Sequence, residues 1–175
     1  MKKELWIING IPGVGKTTTA RGLAKRLERS AHVEGDIVHE MVIGGHVHPG
    51  GTPEKEANAQ LSLCKRNQIV LARSFLNAGF TPVVDYVYVT HHFIDDFQRA
   101  LPDVDLHLVT LAPGPDVALD RDAHRPEKTV AAKWLFLEPM IKENLSTHGL
   151  WIDNSAMTVD AVVDYMLTNQ HRARI

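Results

Sequence analysis

The stretch GIPGVGKTT, Gly10 to Thr18, places three glycines, a lysine and two threonines at a spacing suited to holding an anion. It fits the pattern G-x-x-x-x-G-K-[ST] through Gly10, Gly15, Lys16 and Thr17. Glycines reach backbone angles closed to other residues and carry no Cβ, so the successive N–H groups of Gly13, Val14 and Gly15 can converge on one phosphate. The helix expected to start at Lys16 or Thr17 aims its unpaired first-turn N–H groups, Thr18 included, at the same oxygens. Lys16 would reach the outer phosphates of a nucleotide. Thr17 offers a hydroxyl to Mg²⁺, which prefers hard oxygen ligands.

Acidic residues at strand ends come next. Asp36 closes an expected strand at 31–36, and a carboxylate there can orient a substrate hydroxyl and accept its proton during phosphoryl transfer. It also suits the N-cap of the helix that follows, and both roles are compatible. Glu34, two residues earlier, shares its side if the segment is extended, and is the second choice. Asp85 ends the apolar run VVD, where a carboxylate can hold a water on Mg²⁺ or simply begin a loop. Asp153 in WIDNS reads equally as a turn residue and as a nucleotide contact.

Arg121 and Arg125 lie four apart in LDRDAHRPEK. On a segment that closes over the site, a lid at about 121–132, their guanidinium groups would neutralise charge spread over a phosphoryl group in transfer. The alternative is a solvated helix end with Asp120, Asp122 and Glu127 as partners. Ten histidines include HVH at 46–48 and HH at 91–92. With a single cysteine to join them, a zinc site is set aside in favour of magnesium chemistry. His39, His46, His48, His91 and His92 remain candidates for lining a polar substrate pocket, one of them as a pH-sensitive contact.

The elements that must position these groups alternate. LWIIN (5–9) is a buried strand, and TTTARGLAKRLER an amphipathic helix ending near Ser30. IVHEMVIG reads as a short helix. GGHVHPGGTP (44–53), with four glycines and two prolines, reads as a loop. Ala57, Leu61, Cys64, Leu71 and Phe75 recur at helical steps from Glu54 to Ala78, and Gly79 supplies a stop. Strands are expected at 80–89, 105–113 and 149–155, and helices at HHFIDDFQRAL, GPDVALDRDAHRPE, AAKWLFLEPMIKENL, with a bend at Pro139, and TVDAVVDYMLTN. Alternation of this kind predicts an α/β fold with a parallel sheet and helices on both faces, binding ligands at the carboxyl ends of the strands.

Composition narrows the rest. The 175 residues suit one domain, 1–175. A formal net charge of −2 without long runs of one sign argues against long nucleic acid and anionic membranes. The lone Cys64 falls in an apolar stripe and suits a reducing cytoplasm, and no signal peptide or membrane span is expected.

With cradle, strand-end acids and arginine pair in this order, the chain resembles the P-loop kinases of small molecules, nearest to the group of gluconate kinase, chloramphenicol phosphotransferase, shikimate kinase and adenylate kinase. The resemblance implies a three-layer P-loop NTPase fold, its five-stranded parallel sheet flanked by helices and topped by a short lid. It implies ATP and Mg²⁺ on GIPGVGKTT, an acceptor pocket between residue 36 and about residue 90, Asp36 as acceptor-side aspartate, and Arg121 and Arg125 as lid arginines. Nucleoside monophosphate kinases place an arginine three residues after the acidic strand end and another after the second acidic strand. This chain has His39 at the first place and no arginine or lysine in DYVYVTHHFIDDFQ. Between Ala31 and Cys64 the only lysine or arginine is Lys55. A neutral or singly charged hydroxyl compound is therefore favoured, such as a sugar acid, acted on by a monomer or homodimer. A nucleoside, polynucleotide or nucleotide-sugar kinase is the nearest rival reading, and a nucleotide-dependent switch needing no acceptor is another.

Overall fold

Five consecutive apolar or amide side chains, Leu5 to Asn9, are all fully buried. A strand can bury every residue only where both sheet faces are covered. They form β1 (Glu4–Asn9), the middle strand of a computed structural model that describes residues 3–124 and 130–175. The other strands are β2 (Ser30–Glu34), β3 (Thr81–Asp85), β4 (Asp105–Leu111) and β5 (Leu150–Ile152). Among the described residues they make one five-stranded parallel sheet, in the order β2-β3-β1-β4-β5. This is the α/β sheet expected from the alternation, and every strand delivers its carboxyl end to the same edge.

The helices are α1 (Lys16–Arg26), α2 (Gly35–Glu40), α3 (Glu54–Asn77), α4 (His91–Ala100), α5 (Pro115–Ala123), α6 (Ala131–Trp134), α7 (Leu137–Leu145), α8 (Val159–Thr168) and α9 (Gln170–Ala173). α1 packs on α8 so closely that a Cβ on Gly22 would stand 2.8 Å from Val159. α3 packs on α2 and α4, and Arg73 donates to the Ala100 carbonyl at 2.6 Å. Leu23, Val83, Val84, Phe97, Leu108 and Leu145 are fully enclosed between sheet and helices. Each such side chain contributes about 1.5–3 kcal/mol of burial. α3 ends as the sequence predicts: Gly79 takes a φ of +79°, and the Phe80 N–H reaches back to the Phe75 carbonyl at 2.9 Å.

Three expectations need correction. The strand at 31–36 stops at Glu34, because the chain coils into α2 at Gly35. The strand at 80–89 stops at Asp85: after a last bond from Tyr86 N to the Ile8 carbonyl at 3.3 Å, the Asn9 side chain holds the backbone, accepting from Tyr88 N at 2.8 Å and donating to the Tyr88 carbonyl at 3.1 Å. The helix at 131–145 is broken into α6 and α7 at Leu135–Phe136. Pro139 is the third residue of α7, where a missing N–H costs nothing, while its ring would clash with the carbonyl four residues back in a continuous helix. No helix among the described residues is long and apolar enough to cross a membrane.

Candidate active site

The loop between β1 and α1 is the cradle that its glycines predict. Gly13 has a φ of +88°, and a Cβ built on it would stand 2.3 Å from the Ala118 carbonyl oxygen of α5. Only glycine fits that loop against that helix. Gly15, at φ +95°, ends the loop, and α1 begins at Lys16. The Lys16 ammonium folds back across the loop and donates to the Ile11 carbonyl at 3.0 Å. Thr18 stands in the first turn of α1 beside Thr17.

β3 brings its acid to this loop. The Thr17 hydroxyl donates to Asp85 Oδ2 at 2.8 Å, across 68 residues of chain. Asp85 is buried, and its other oxygen, Oδ1, accepts from His32 Nε2 at 2.5 Å. The parallel register sets Glu34 opposite Asp85 and His32 opposite Val83, so the imidazole reaches the carboxylate along one face of the sheet. The sequence reading missed His32, whose contact depends on the pairing register of β2 and β3. A hydroxyl beside a carboxylate at the mouth of an anion cradle is a donor set that fits Mg²⁺.

The acceptor-side acids fall differently from expectation. Glu34 is the strand-end carboxylate, and it pairs with Arg21 at 2.8 Å. Asp36 lies in the first turn of α2 and is exposed; the N-cap position belongs to Glu34, so neither strand-end nor N-cap describes Asp36. The turn that separates the two acids depends on Gly35, where a Cβ would stand 2.4 Å from the Tyr86 ring. Beneath it, Cys64 Sγ donates to the Gly35 carbonyl at 3.4 Å and accepts from Gln68 at 3.0 Å, while the Tyr88 hydroxyl donates to Gln68 Oε1. Burial pushes the Cys64 thiol up to about 11 and the Tyr86 phenol above its ordinary range.

The loop at 44–53 is ordered by one buried side chain. Gln60 donates to the Gly45 carbonyl at 2.8 Å and accepts from Val47 N at 2.9 Å. His46 lies between His39 and His48, edge-on to both, with ring centroids 5.1 and 4.6 Å away. His46 Nε2 lies 3.3 Å from His39 Nδ1, while His39 Nε2 is buried without a hydrogen-bond partner. At the loop tip a Cβ on Gly50 would stand 3.3 Å from the Trp134 ring, so the histidine loop touches α6.

Arg121 is a residue of α5. Its guanidinium donates to the carbonyls of Val14 at 3.2 Å, Asn154 at 2.8 Å and Ser155 at 3.3 Å, so it braces the cradle against the loop after β5. The expected partners Asp120 and Asp122 do not take it. Asp122 Oδ2 instead accepts from Val130 N at 2.6 Å and Ala131 N at 2.7 Å, fastening the start of α6. Arg125 and the middle of the expected lid, 125–129, lie outside the described residues. Asp153 follows β5 and accepts from Ser155 N at 2.9 Å; hydrogen bonding from the Ser155 side chain first, and from this N–H second, holds its carboxyl below the usual range. Its neighbour Asn154, not singled out in the sequence, is buried and donates to the Val14 carbonyl at 3.0 Å. A cavity of about 460 Å³ between Gln98 and Ile175 lies at the amino end of β4 and gathers none of these residues.

A family model described as an AAA domain matches residues 5–135. The fold is similar to that of a sugar kinase from Janibacter sp. HTCC2649, at a TM-score of 0.72 and 18% identity over 98% of this chain and 96% of that one. It is similar to a gluconokinase from Sinorhizobium meliloti 1021, at 0.65 and 17% over 98% and 93%. It is similar also to a shikimate kinase from Acinetobacter baumannii in complex with shikimate, at 0.63 and 19% over 97% and 93%. No curated protein matches the sequence. At these identities the likeness establishes the P-loop kinase fold.

Proposed function

The chain belongs to this AAA-domain family, and from that premise we propose that it is a kinase, moving the γ-phosphoryl group of MgATP to a hydroxyl of a small molecule. The observation that carries the reading is the Thr17–Asp85 pair, 2.8 Å apart at the mouth of a cradle that admits only glycine at position 13. The kinase folds to which the chain is similar support it.

MgATP, when bound, supplies the phosphoryl group and the charge of the metal ion. Gly10 frees the loop to turn, and the N–H groups of Gly13, Val14, Gly15 and the first turn of α1 receive the phosphates. Lys16 exchanges the Ile11 carbonyl for phosphate oxygen. Thr17 and Asp85 are the residues that would hold the ion and its waters, with His32 fixing the rotation of the Asp85 carboxylate. Asp36 orients the acceptor hydroxyl and takes its proton as the new P–O bond forms and the bond to the leaving ADP oxygen breaks. Arg125, and Arg121 on leaving the Val14, Asn154 and Ser155 carbonyls, would neutralise charge on the equatorial oxygens.

The acceptor is neutral or singly charged, a sugar acid such as gluconate being the favoured class. Lys55 is the only lysine or arginine between Ala31 and Cys64, and Lys65, next in line, is engaged by Asp96. A dianionic acceptor would be poorly paired in a closed site.

The test is ADP release from MgATP over sugar acids, polyols, nucleosides, nucleotides and hydroxylated antibiotics, with Asp36→Asn beside the native chain. One acceptor should raise the rate well above background, and the variant should lose that rise while still binding MgATP. If no acceptor raises it although MgATP binds, the reading as a nucleotide-dependent switch gains.

A further inference from the structure

We propose that His91, His92 and Asp95 form a site for a divalent transition-metal ion of the zinc type, separate from the magnesium position at Thr17 and Asp85. In the sequence HHFID the two histidines lack a third ligand. The start of α4 at His91 supplies it, because residues three and four apart share a helix face, and Asp95 is four from His91 and three from His92. Each of the three offers one ligand atom, and these atoms all lie within 4.8 Å of one another.

His92 Nδ1 is 3.7 Å from Asp95 Oδ2, and the His91 and His92 rings are 4.2 Å apart. Tetrahedral zinc, with bonds of about 2.1 Å, sets its ligand atoms about 3.4 Å apart. Small side-chain rotations would close the difference, and the His92 and Asp95 side chains are 78% and 41% exposed. Among the described residues, the cations Lys65 and Arg99 both pair with Asp96. A third imidazole, His148 from the turn before β5, lies parallel to His91 at 6.4 Å and borders the same site.

The donor chemistry selects the ion. Two imidazoles and one carboxylate suit zinc and its neighbours in the first transition row, whereas magnesium keeps to oxygen. The electropositive start of α4 works against a cation, so the ligand bonds and the Asp95 charge must supply the affinity. Three protein ligands leave a fourth position to water. The proposed transfer steps use none of the three residues, and zinc binding is read without any acceptor present.

ZnCl₂ titrated into the full chain with excess Mg²⁺ present, followed by calorimetry and by native mass spectrometry, tests it. One zinc ion per chain should bind. The His91→Ala/His92→Ala double variant and Asp95→Asn should each weaken binding at least about tenfold. A His46→Ala/His48→Ala double variant should keep the native affinity. Metal-free melting curves establish that each variant is folded. Absence of saturable zinc binding overturns the site. So does zinc binding that survives both α4 variants, or that disappears only with the 46/48 pair.

Discussion

Lys16 is held in place by a carbonyl of its own loop, which keeps an ammonium inside the cradle before any phosphate arrives. Removing it takes away a charge aimed at the oxygens where negative charge develops. Lys16→Ala should lower phosphotransfer by about 10²- to 10³-fold. Near-native turnover in that variant would sink the assignment of the cradle. His39 makes a second residue-level prediction. Burial holds its imidazole below the ordinary 6.5; His46 and His48 push the same way, and Asp36 and Glu40 pull it back up. The unfolded chain therefore binds the proton more readily than the folded one. Stability is complete above the unfolded value and falls as pH drops through 6.5 toward the folded value. Melting temperature should thus decline on acidification, and His39→Gln should flatten that decline. Equal slopes in the two proteins would show that His39 does not carry the effect.

At the scale of elements, the loop and α5 are fitted to each other through one missing Cβ. Gly13→Ala would force φ +88° on a residue with a side chain and drive it into the Ala118 carbonyl, a backbone atom that cannot step aside. The backbone angle alone costs about 1–2 kcal/mol. For a chain of this length that corresponds to a fall in melting temperature of roughly 2–8 °C or more. Gly44→Ala, with nothing within 4 Å and an ordinary φ, should leave the melting curve unchanged. The cradle was legible in sequence because its glycines, lysine and threonine are contiguous. So was the length of α3, where periodicity and a glycine stop agree. The end of β2 was not: VEGD looks extended to its last residue, and only the packing of Gly35 on Tyr86 shows that the chain has turned and carried Asp36 into a helix. His32, Asn154 and the true partners of Arg121 were hidden for a related reason. Their contacts cross from strand to strand or from the last loop to the first, and no local pattern encodes such register.

For the whole molecule, the sheet order gathers the cradle after β1, Asp85 at the end of β3 and the Asn154 loop after β5 on one edge. These pieces are distant in sequence and meet only when all five strands are paired. A ligand held by them binds the folded chain and not the unfolded one, so its affinity must appear as stability. At a concentration of about one hundred times its dissociation constant, MgATP should add about 2.7 kcal/mol. With roughly 2–4 °C per kcal/mol for a chain of this size, the melting temperature should rise by roughly 5–11 °C. Asp36→Asn, altered only on the acceptor side, should keep that rise; Lys16→Ala should lose most of it. A melting temperature indifferent to MgATP would mean that the edge does not assemble a nucleotide site. A rise equal in all three proteins would place the nucleotide somewhere other than the cradle.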